Sequence, residues 1–412
     1  MTKKITVSAE EQLAEIKVGC AEIIAEDELL AKLKRSYLAQ KPLRVKMGAD
    51  PSSPDIHLGH TVVLNKLRLF QSFGHHIIFI IGDFTARIGD PTGKSKTRPP
   101  LTVEQVRSYA KTYQEQIFRV LDATRTEIVY NSTWLDTLTP MDFIRLMATR
   151  TVQQIIVRED FSKRLEENTP IHLHELVYPL LQGYDSVHLR ADLELGGTDQ
   201  KFNLLFGREM QRQAGQEAQC TLTVPLLEGL DGVQKMSKSL NNYIGISEPS
   251  REMFGKSMSI SDDLMLRFYE LLSRKGRSFI EDVKASLKNG TLHPMEAKKN
   301  LAQEIVEQYW GAGEARVARQ HFEETFSNRK IPTDLPVHAI ACDADGRVNV
   351  IDVCMQLAFC PSRTEARRLL KQKGLHLDGK TVEAEWLQLT PGQEYIFKQG
   401  KLKMAKLVVT GL

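Results

Sequence analysis

Two tracts in this chain could handle a nucleotide. His57-Leu58-Gly59-His60 opens an apolar-periodic stretch after a Pro-rich turn, and Lys235-Met236-Ser237-Lys238-Ser239 lies in a polar loop about 180 residues further on. The i, i+3 spacing puts His57 and His60 on one face at a helix N-terminus. Free N–H groups and partial positive charge make such a terminus suit phosphate. Metal ligation by the two histidines is the competing chemistry, but no third ligand stands nearby in sequence. Gly59 leaves the backbone open to a flat ring such as adenine. Lys235 and Lys238 are flexible point charges that can close over a pyrophosphate leaving group as its charge grows. Taken singly, either tract reads as an ordinary surface feature. The two together, in this order, point to nucleotide chemistry.

Other polar groups fall where a substrate could use them. Tyr178, Gln182 and Asp185 stand at i, i+4 and i+7, one face of one helix. Buried without partners they would be costly, so they are either core groups paired internally or a binding face. Gly196-Gly197-Thr198-Asp199-Gln200 ends an apolar strand, where ligands bind at the carboxyl edge of a parallel sheet. There Gly197 permits close approach of a ribose and Asp199 can accept from its hydroxyl. Asn131 closes another strand and joins the same pocket. Gly89 to Ser95 resembles a phosphate loop only superficially. That motif needs a glycine at position 88, which holds Ile88.

The elements that position these groups follow from pattern. Residues 11–36 read as one amphipathic helix. Residues 44–48 read as a strand ending in a turn at Asp50-Pro51-Ser52-Ser53-Pro54. A helix over 58–73 stops at Gly74, and His76-Ile77-Ile78-Phe79-Ile80-Ile81 is a buried strand. Strand, turn, helix and strand in this order make a βαβ unit of a parallel sheet. Residues 86–100 read as a loop, 101–122, 141–168 and 173–187 as helices, with Pro179 kinking the last. Strands at 127–130, 191–195 and 220–224 and a helix over 200–215 complete this part. From 250 to 326 the pattern is helical. The expected organisation is an α/β Rossmann-like catalytic domain over 1–245, a helical domain over 246–330, a linker over 331–346, and a small α+β domain over 347–412.

The totals narrow the class. No apolar run approaches the ~18 residues that a membrane-spanning helix needs, and the first ten residues lack the apolar core of an export signal. The five cysteines are scattered with no C-x-x-C pair, against a zinc site or a disulfide framework and toward a reducing cytoplasm. Net charge is +3, but residues 347–412 carry 11 Lys and Arg against 6 Asp and Glu. A small basic module on a near-neutral body suits a polyanion partner.

The two opening tracts resemble the HIGH and KMSKS signatures of class I aminoacyl-tRNA synthetases. Leu58 replaces Ile in the first, and the second matches at every residue. Gly48-x-Asp50, the Gly89-Asp90-Pro91 loop and the Tyr178/Gln182/Asp185 face extend the resemblance to bacterial tyrosyl-tRNA synthetases over nearly the whole chain. The resemblance implies ATP, with Mg2+ accompanying it, on Asp50, Ser52, Gly59, Gly197, Asp199, Lys235 and Lys238. Catalysis would fall to His57, His60, Lys235 and Lys238. It implies tyrosine held by Asp90, Tyr178, Gln182, Asn131 and Gln200, with Asp185 accepting the phenolic hydroxyl. Lys46 stands where many members carry a Tyr that shares this recognition, which places more of the discrimination on Asp185. Lys94 and Arg98 would lie near phosphates or the tRNA acceptor end. Residues 362–380 resemble an S4-type RNA-binding domain, with Arg363, Arg367, Arg368 and Lys371 as a basic helix face for structured RNA. The implied partners are tRNA(Tyr), tyrosine, ATP and a second copy of the chain, with no membrane. A tryptophanyl-tRNA synthetase and a non-catalytic RNA-binding regulator are the alternatives. Asp185 and the S4-like tail weigh against the first, the intact histidines and lysines against the second.

Overall fold

A computed structural model describes residues 4–51, 55–92, 102–327, 335–343, 345–400 and 403–410. The chain divides into two compact units, Met1–Arg319 and Gln320–Leu412.

The first unit is built on a six-stranded sheet. Its strands are β1 (Glu22–Ile24), β2 (Arg44–Ala49), β3 (His76–Ile81), β4 (Thr126–Tyr130), β5 (Leu193–Gly197) and β6 (Cys220–Val224), in the order β1-β6-β5-β2-β3-β4. All pairings are parallel except that of edge strand β1 with β6. From β2 the chain steps outward to β3 and β4, while β5 and β6 build on its other side. The strand order therefore reverses at the β2/β5 junction, and ligand crevices open beyond the carboxyl ends of strands at such a point.

Helices cover the sheet. In chain order these are α1 (Ala9–Lys17), α2 (Glu26–Ala39), α3 (Leu58–Phe73), α4 (Val103–Ile117), α5 (Ser132–Leu135), α6 (Pro140–Met147), α7 (Val152–Ile156), α8 (Glu159–Glu166), α9 (Leu173–Leu189) and α10 (Lys201–Gln213). The helical stretch follows as α11 (Ser250–Met258), α12 (Asp262–Leu272), α13 (Arg277–Lys288) and α14 (Pro294–Phe322), the last interrupted at Gly311. Residues 250–319 belong to the same compact unit as the sheet. Ile78 and Ile80 pack with Trp134, Leu180, Leu181, Phe206 and Met210, so α9 and α10 lie over one face of the sheet.

Two helix expectations fail for local reasons. The helix expected over 11–36 is α1, β1 and α2. Gly19 turns the chain at φ +65°, and Ile23 and Ile24 pair with Leu222 and Thr221 instead of continuing a helix. The helix expected over 141–168 is three short ones. Thr151 accepts from Gln154 N and so starts a new helix rather than extending the old one.

The second unit carries β7 (Val337–Ala341), β8 (Arg347–Asn349), β9 (Leu375–Leu377), β10 (Lys380–Thr381), β11 (Trp386–Gln388), β12 (Glu394–Gln399) and β13 (Lys403–Thr410), with helices α15 (Val350–Gln356) and α16 (Arg363–Lys371). Its main sheet runs β10-β9-β12-β13-β7 around a core that includes Ile340, Ile351, Phe397 and Leu407. The linker expected over 331–346 is corrected here. β7 pairs with β13 over five residues, and Ile340 sits in the core, so the small domain begins before residue 347.

Candidate active site

The β2–α3 turn and the lysine loop meet at the switch point. Leu58 N donates to Ile244 O at 2.9 Å, and His57 bridges to Gly245, which ties the start of α3 to the end of the loop. The loop is internally braced: Asp231 Oδ1 accepts from Val233 N and Gln234 N, and Asn242 Oδ1 accepts from Ser237 N at 2.8 Å. Met236 is buried as an anchor. Between the two tracts lies a cleft of about 640 Å³ whose lining includes Asp50, His57, His60, Gly197, Asp199 and Lys235. Lys238, Gly59 and Ser239 line it too.

Charge is laid out unevenly around this cleft. Lys238 Nζ lies 2.8 Å from Asp55 Oδ2, and Lys235 Nζ lies 3.8 Å from Asp199 Oδ2. Both pairs are partly exposed, so either lysine can exchange its carboxylate for phosphate oxygens at small cost. Burial, with the neighbouring His60 and Lys238, lowers the His57 imidazole to about 2. Burial and Lys238 lower His60 to about 4. His60 Nδ1 accepts from His57 N at 3.2 Å, which leaves the proton of its neutral ring on Nε2. Gly59 is needed for close approach, since a Cβ there would stand 3.0 Å from the His57 ring.

A second set of polar groups lies between β2, the loop after β3, and α9. Tyr178 OH donates to Asp50 Oδ2 at 2.9 Å, and Thr85 Oγ1 donates to Asp50 Oδ1 at 2.7 Å. Gly82 makes this approach possible: a Cβ there would fall 2.1 Å from Asp50 Oδ1. Gln200 Nε2 donates to Asp90 Oδ2 at 2.8 Å. Burial, then Asp50 and Asp90, push the Tyr178 phenol well above its usual range. Carboxylates gathered around a neutral phenol favour a cation such as an ammonium. Deeper in, Asp185 Oδ1 accepts from Trp134 Nε1 at 2.8 Å, and Asn131 Nδ2 reaches Oδ2 at 3.4 Å. Burial raises Asp185 to about 7 against the opposing effects of Lys46, Trp134 and Asn131.

The structure thus brings together Asp50, Asp90, Asn131, Tyr178, Gln182, Asp185, Asp199 and Gln200 with the histidine and lysine tracts. Ser52, Lys94 and Arg98 lie outside the described residues. Asn131, expected among the tyrosine-binding residues, lies against Asp185 and has a second role as well. Its Oδ1 accepts from Phe84 N at 2.9 Å and its amide reaches Thr85, so it orders the loop that supports Asp50. Sequence reasoning passed over Trp134, Thr85 and Glu194. Glu194 left a signal: an acid inside the apolar strand Leu193-Glu194-Leu195, opposite a lysine in another apolar strand.

In the second unit the basic residues of α16 face water but have local partners. Arg363 pairs with Asp352, Arg367 with Glu385 at 3.3 Å, and Arg368 with Glu365 at 2.6 Å. Pairs this exposed contribute little and yield readily to a phosphate. Lys371 is exposed at the last turn.

Comparison with known proteins agrees with this geometry. The family described as tRNA synthetases class I (W and Y) matches residues 38–327. The chain is 51% identical over 400 residues to the tyrosine–tRNA ligase of Oleidesulfovibrio alaskensis, covering 97% of this chain and 99% of that one. It is 52% identical over 404 residues to that of Coxiella burnetii, covering 98% and 100%. Among solved structures, the tyrosyl-tRNA synthetase of Archaeoglobus fulgidus complexed with L-tyrosine superposes with a TM-score of 0.61 at 25% identity, over 76% of this chain and 99% of that one. A C-terminally truncated mitochondrial tyrosyl-tRNA synthetase from Aspergillus nidulans shares the fold, with a TM-score of 0.65 at 20% identity over 78% and 95% of the two chains.

Proposed function

The chain belongs to the class I tRNA synthetases of the tryptophan and tyrosine type and works as a tyrosine–tRNA ligase, and from that premise we propose how its residues divide the task. The tyrosine carboxylate attacks the α-phosphorus of ATP. A P–O bond to the carboxylate forms, the bond to the β-phosphate oxygen breaks, and pyrophosphate leaves. The terminal ribose hydroxyl of tRNA(Tyr) then takes the tyrosyl group and releases AMP. No side chain need act as nucleophile, because the carboxylate is already ionised. Catalysis is alignment plus charge stabilisation. His57 and His60 supply neutral N–H donors at the N-terminus of α3, and Lys235 and Lys238 supply the positive charge.

Within the pocket, Asp90 and Tyr178 surround the substrate ammonium, and Asp50, expected on ATP, joins them through its bond from Tyr178 OH. Gln182 and Gln200 orient its carboxylate, and Asp185 accepts a hydrogen bond from the phenolic hydroxyl. Asp199 and Gly197 receive the ribose of ATP, and Mg2+ arrives with the triphosphate. The observation that carries this assignment is a polar row with Asp50 at one end and Asp185 at the other, joined through Thr85 and Asn131. The basic face of α16 is assigned to RNA.

A homodimer through α6–α8 is proposed on the exposed apolar side chains there. Met141, Ile144 and Val157 are 53%, 54% and 68% exposed, an unusual concentration for a free surface. Among the described residues no helix is long and apolar enough to cross a membrane, and the proposed location is the cytoplasm.

The test is amino-acid-dependent ATP–pyrophosphate exchange with tyrosine, phenylalanine and tryptophan side by side. Exchange with tyrosine alone is the expected result. Exchange with phenylalanine at comparable kcat/KM would remove Asp185 from the phenol end.

A further inference from the structure

Gln200 stands at the N-cap of α10, yet its side chain does not cap the helix. Its Nε2 donates to Asp90 Oδ2 at 2.8 Å, and its Oε1 accepts from Asn203 Nδ2 at 3.2 Å. Asn203 lies three residues on, on the same face of α10, and is almost wholly out of water. Its Oδ1 accepts in turn from Arg158 Nη1 at 3.2 Å. Arg158 follows α7 and is buried too. It grips Asp160 with two bonds, Nε to Oδ1 at 2.6 Å and Nη2 to Oδ2 at 2.7 Å, and its guanidinium lies 4.3 Å from the centre of the Phe161 ring. Arg158, Asn203, Gln200 and Asp90 therefore form one line of hydrogen bonds from the α7–α8 turn to the ammonium end of the pocket.

The two ends of this line set its direction. A guanidinium only donates and a carboxylate only accepts, while an amide can be turned either way. Arg158 claims the oxygen of Asn203, Asn203 then offers its nitrogen to the oxygen of Gln200, and the nitrogen of Gln200 is left facing Asp90. Turned the other way, the two amides would set donor against donor at Arg158 and acceptor against acceptor at Asp90. Both mismatches would carry the cost of buried groups left unpaired. Asp90 is fixed independently, since its Oδ1 accepts from Thr92 N at 2.9 Å. As packing alone the line gains little, because apolar residues of the same shape would stabilise the interior about as well. What it does supply is a defined amide orientation, and Gln200 Nε2 has a second N–H that Asp90 does not use.

We propose that Asn203 and Arg158 are positioning residues for the amino-acid carboxylate: they hold the Gln200 amide with its nitrogen inward, so that one N–H meets Asp90 and the other meets the carboxylate of tyrosine. Neither residue touches the substrate. The inference rests on the assignment of Gln200 to that carboxylate. An amide free to turn would present its oxygen there for part of the time and repel the ligand.

The experiment is Asn203→Asp in the full chain. The new carboxylate still accepts from Arg158, which keeps it ionised, but it cannot donate to Gln200. Gln200 then turns its nitrogen toward position 203 and its oxygen inward. Kd is measured by calorimetry for tyrosine and for tyramine, which keeps the phenol and the ammonium but has no carboxylate. The expected result is that the ratio of tyramine Kd to tyrosine Kd falls by about tenfold or more. A structural defect would weaken both ligands alike, so an equal loss, or an unchanged ratio, overturns the inference. Gln200→Ala is run alongside. If it leaves the ratio intact, the assignment of Gln200 to the carboxylate fails and the inference falls with it. If it collapses the ratio while Asn203→Asp keeps it, only the roles of Asn203 and Arg158 fail. Should Asn203→Asp not fold, Asn203→Leu removes the donor at similar size without adding charge. A lowered ratio there supports the inference, and an unchanged one overturns it.

Discussion

Replacing Asp185 with Asn should make the protein more stable and a poorer enzyme, and both effects should grow as pH rises. Asp185 titrates near 7 in the folded protein because burial opposes its charge, against a value of 3.8 when unconstrained. Between those values the folded state holds a proton that the unfolded state releases. Stability from this group is therefore present at low pH and lost as pH rises through the folded value. From pH 5 to pH 8 the loss comes to roughly 2 to 3 kcal/mol. Asn does not titrate, so the variant escapes it. Urea unfolding at pH 5, 6.5 and 8 measures the effect. The unfolding free energy of the variant relative to the natural protein should climb by roughly 2 to 3 kcal/mol across that range. Tyrosine kcat/KM should fall by about 10- to 100-fold at pH 8, the loss of a hydrogen bond to a charged acceptor. A stability difference that does not move with pH would mean that Asp185 is an ordinary carboxylate, and the argument from burial would be wrong.

Further outcomes follow from the other contacts. Lys235→Ala should slow adenylate formation by about 100-fold in a single-turnover assay while tyrosine affinity stays within about twofold, because this lysine meets only the growing pyrophosphate charge; equal effects on both would refute transition-state selectivity. Gly59→Ala places a Cβ 3.0 Å from the His57 ring and 3.5 Å from Met236 Cβ, so KM for ATP should rise about tenfold with KM for tyrosine unchanged. Ile144→Arg with Val157→Asp should convert a dimer to a monomer in light scattering at micromolar concentration; a dimer that persists would place the interface elsewhere.

The parts of this molecule that were legible in its sequence are those in which a single segment carries the whole signal. The β2–α3–β3 unit is one: an apolar strand, a proline turn, a period of 3.6 and a run of β-branched residues leave few alternatives. The same holds for His57 and His60, whose shared face needs only a helix start. Glu194 and its pairing with Lys46 were hidden because that contact lies in the register of two strands separated by about 150 residues of chain. Trp134 was hidden because an indole after a strand reads as core, and only the fold sets its Nε1 against Asp185. The break at Thr149–Thr151 was missed for a related reason. Helical periodicity continues across it, while the capping hydroxyl of Thr151 overrides the period locally.

The two histidines show how burial changes what a residue type can do. An imidazole with its ordinary pKa near 6.5 would bring part of a positive charge to a phosphate site. Burial and Lys238 instead hold His57 at about 2 and His60 at about 4, so both rings are neutral at physiological pH. They can donate one N–H each, and the charge must come from the lysines. The Nε2–H of His60 is fixed by the bond that its Nδ1 accepts. His60→Gln, whose amide N–H reaches about as far as Nε2, should then retain adenylate formation within about tenfold, where His60→Ala loses about 100-fold. The rate of activation should show no inflection near 6.5 that disappears in the Gln variant. Stability should behave oppositely to that set by Asp185. The unfolded chain takes up protons on these rings as pH falls below 6.5, the folded one only near 4 or lower, so their contribution is lost as pH drops through that window. A histidine inflection near 6.5 in the activation rate would show that the rings are charged when they work, and would return part of the catalytic charge from the lysine loop to α3.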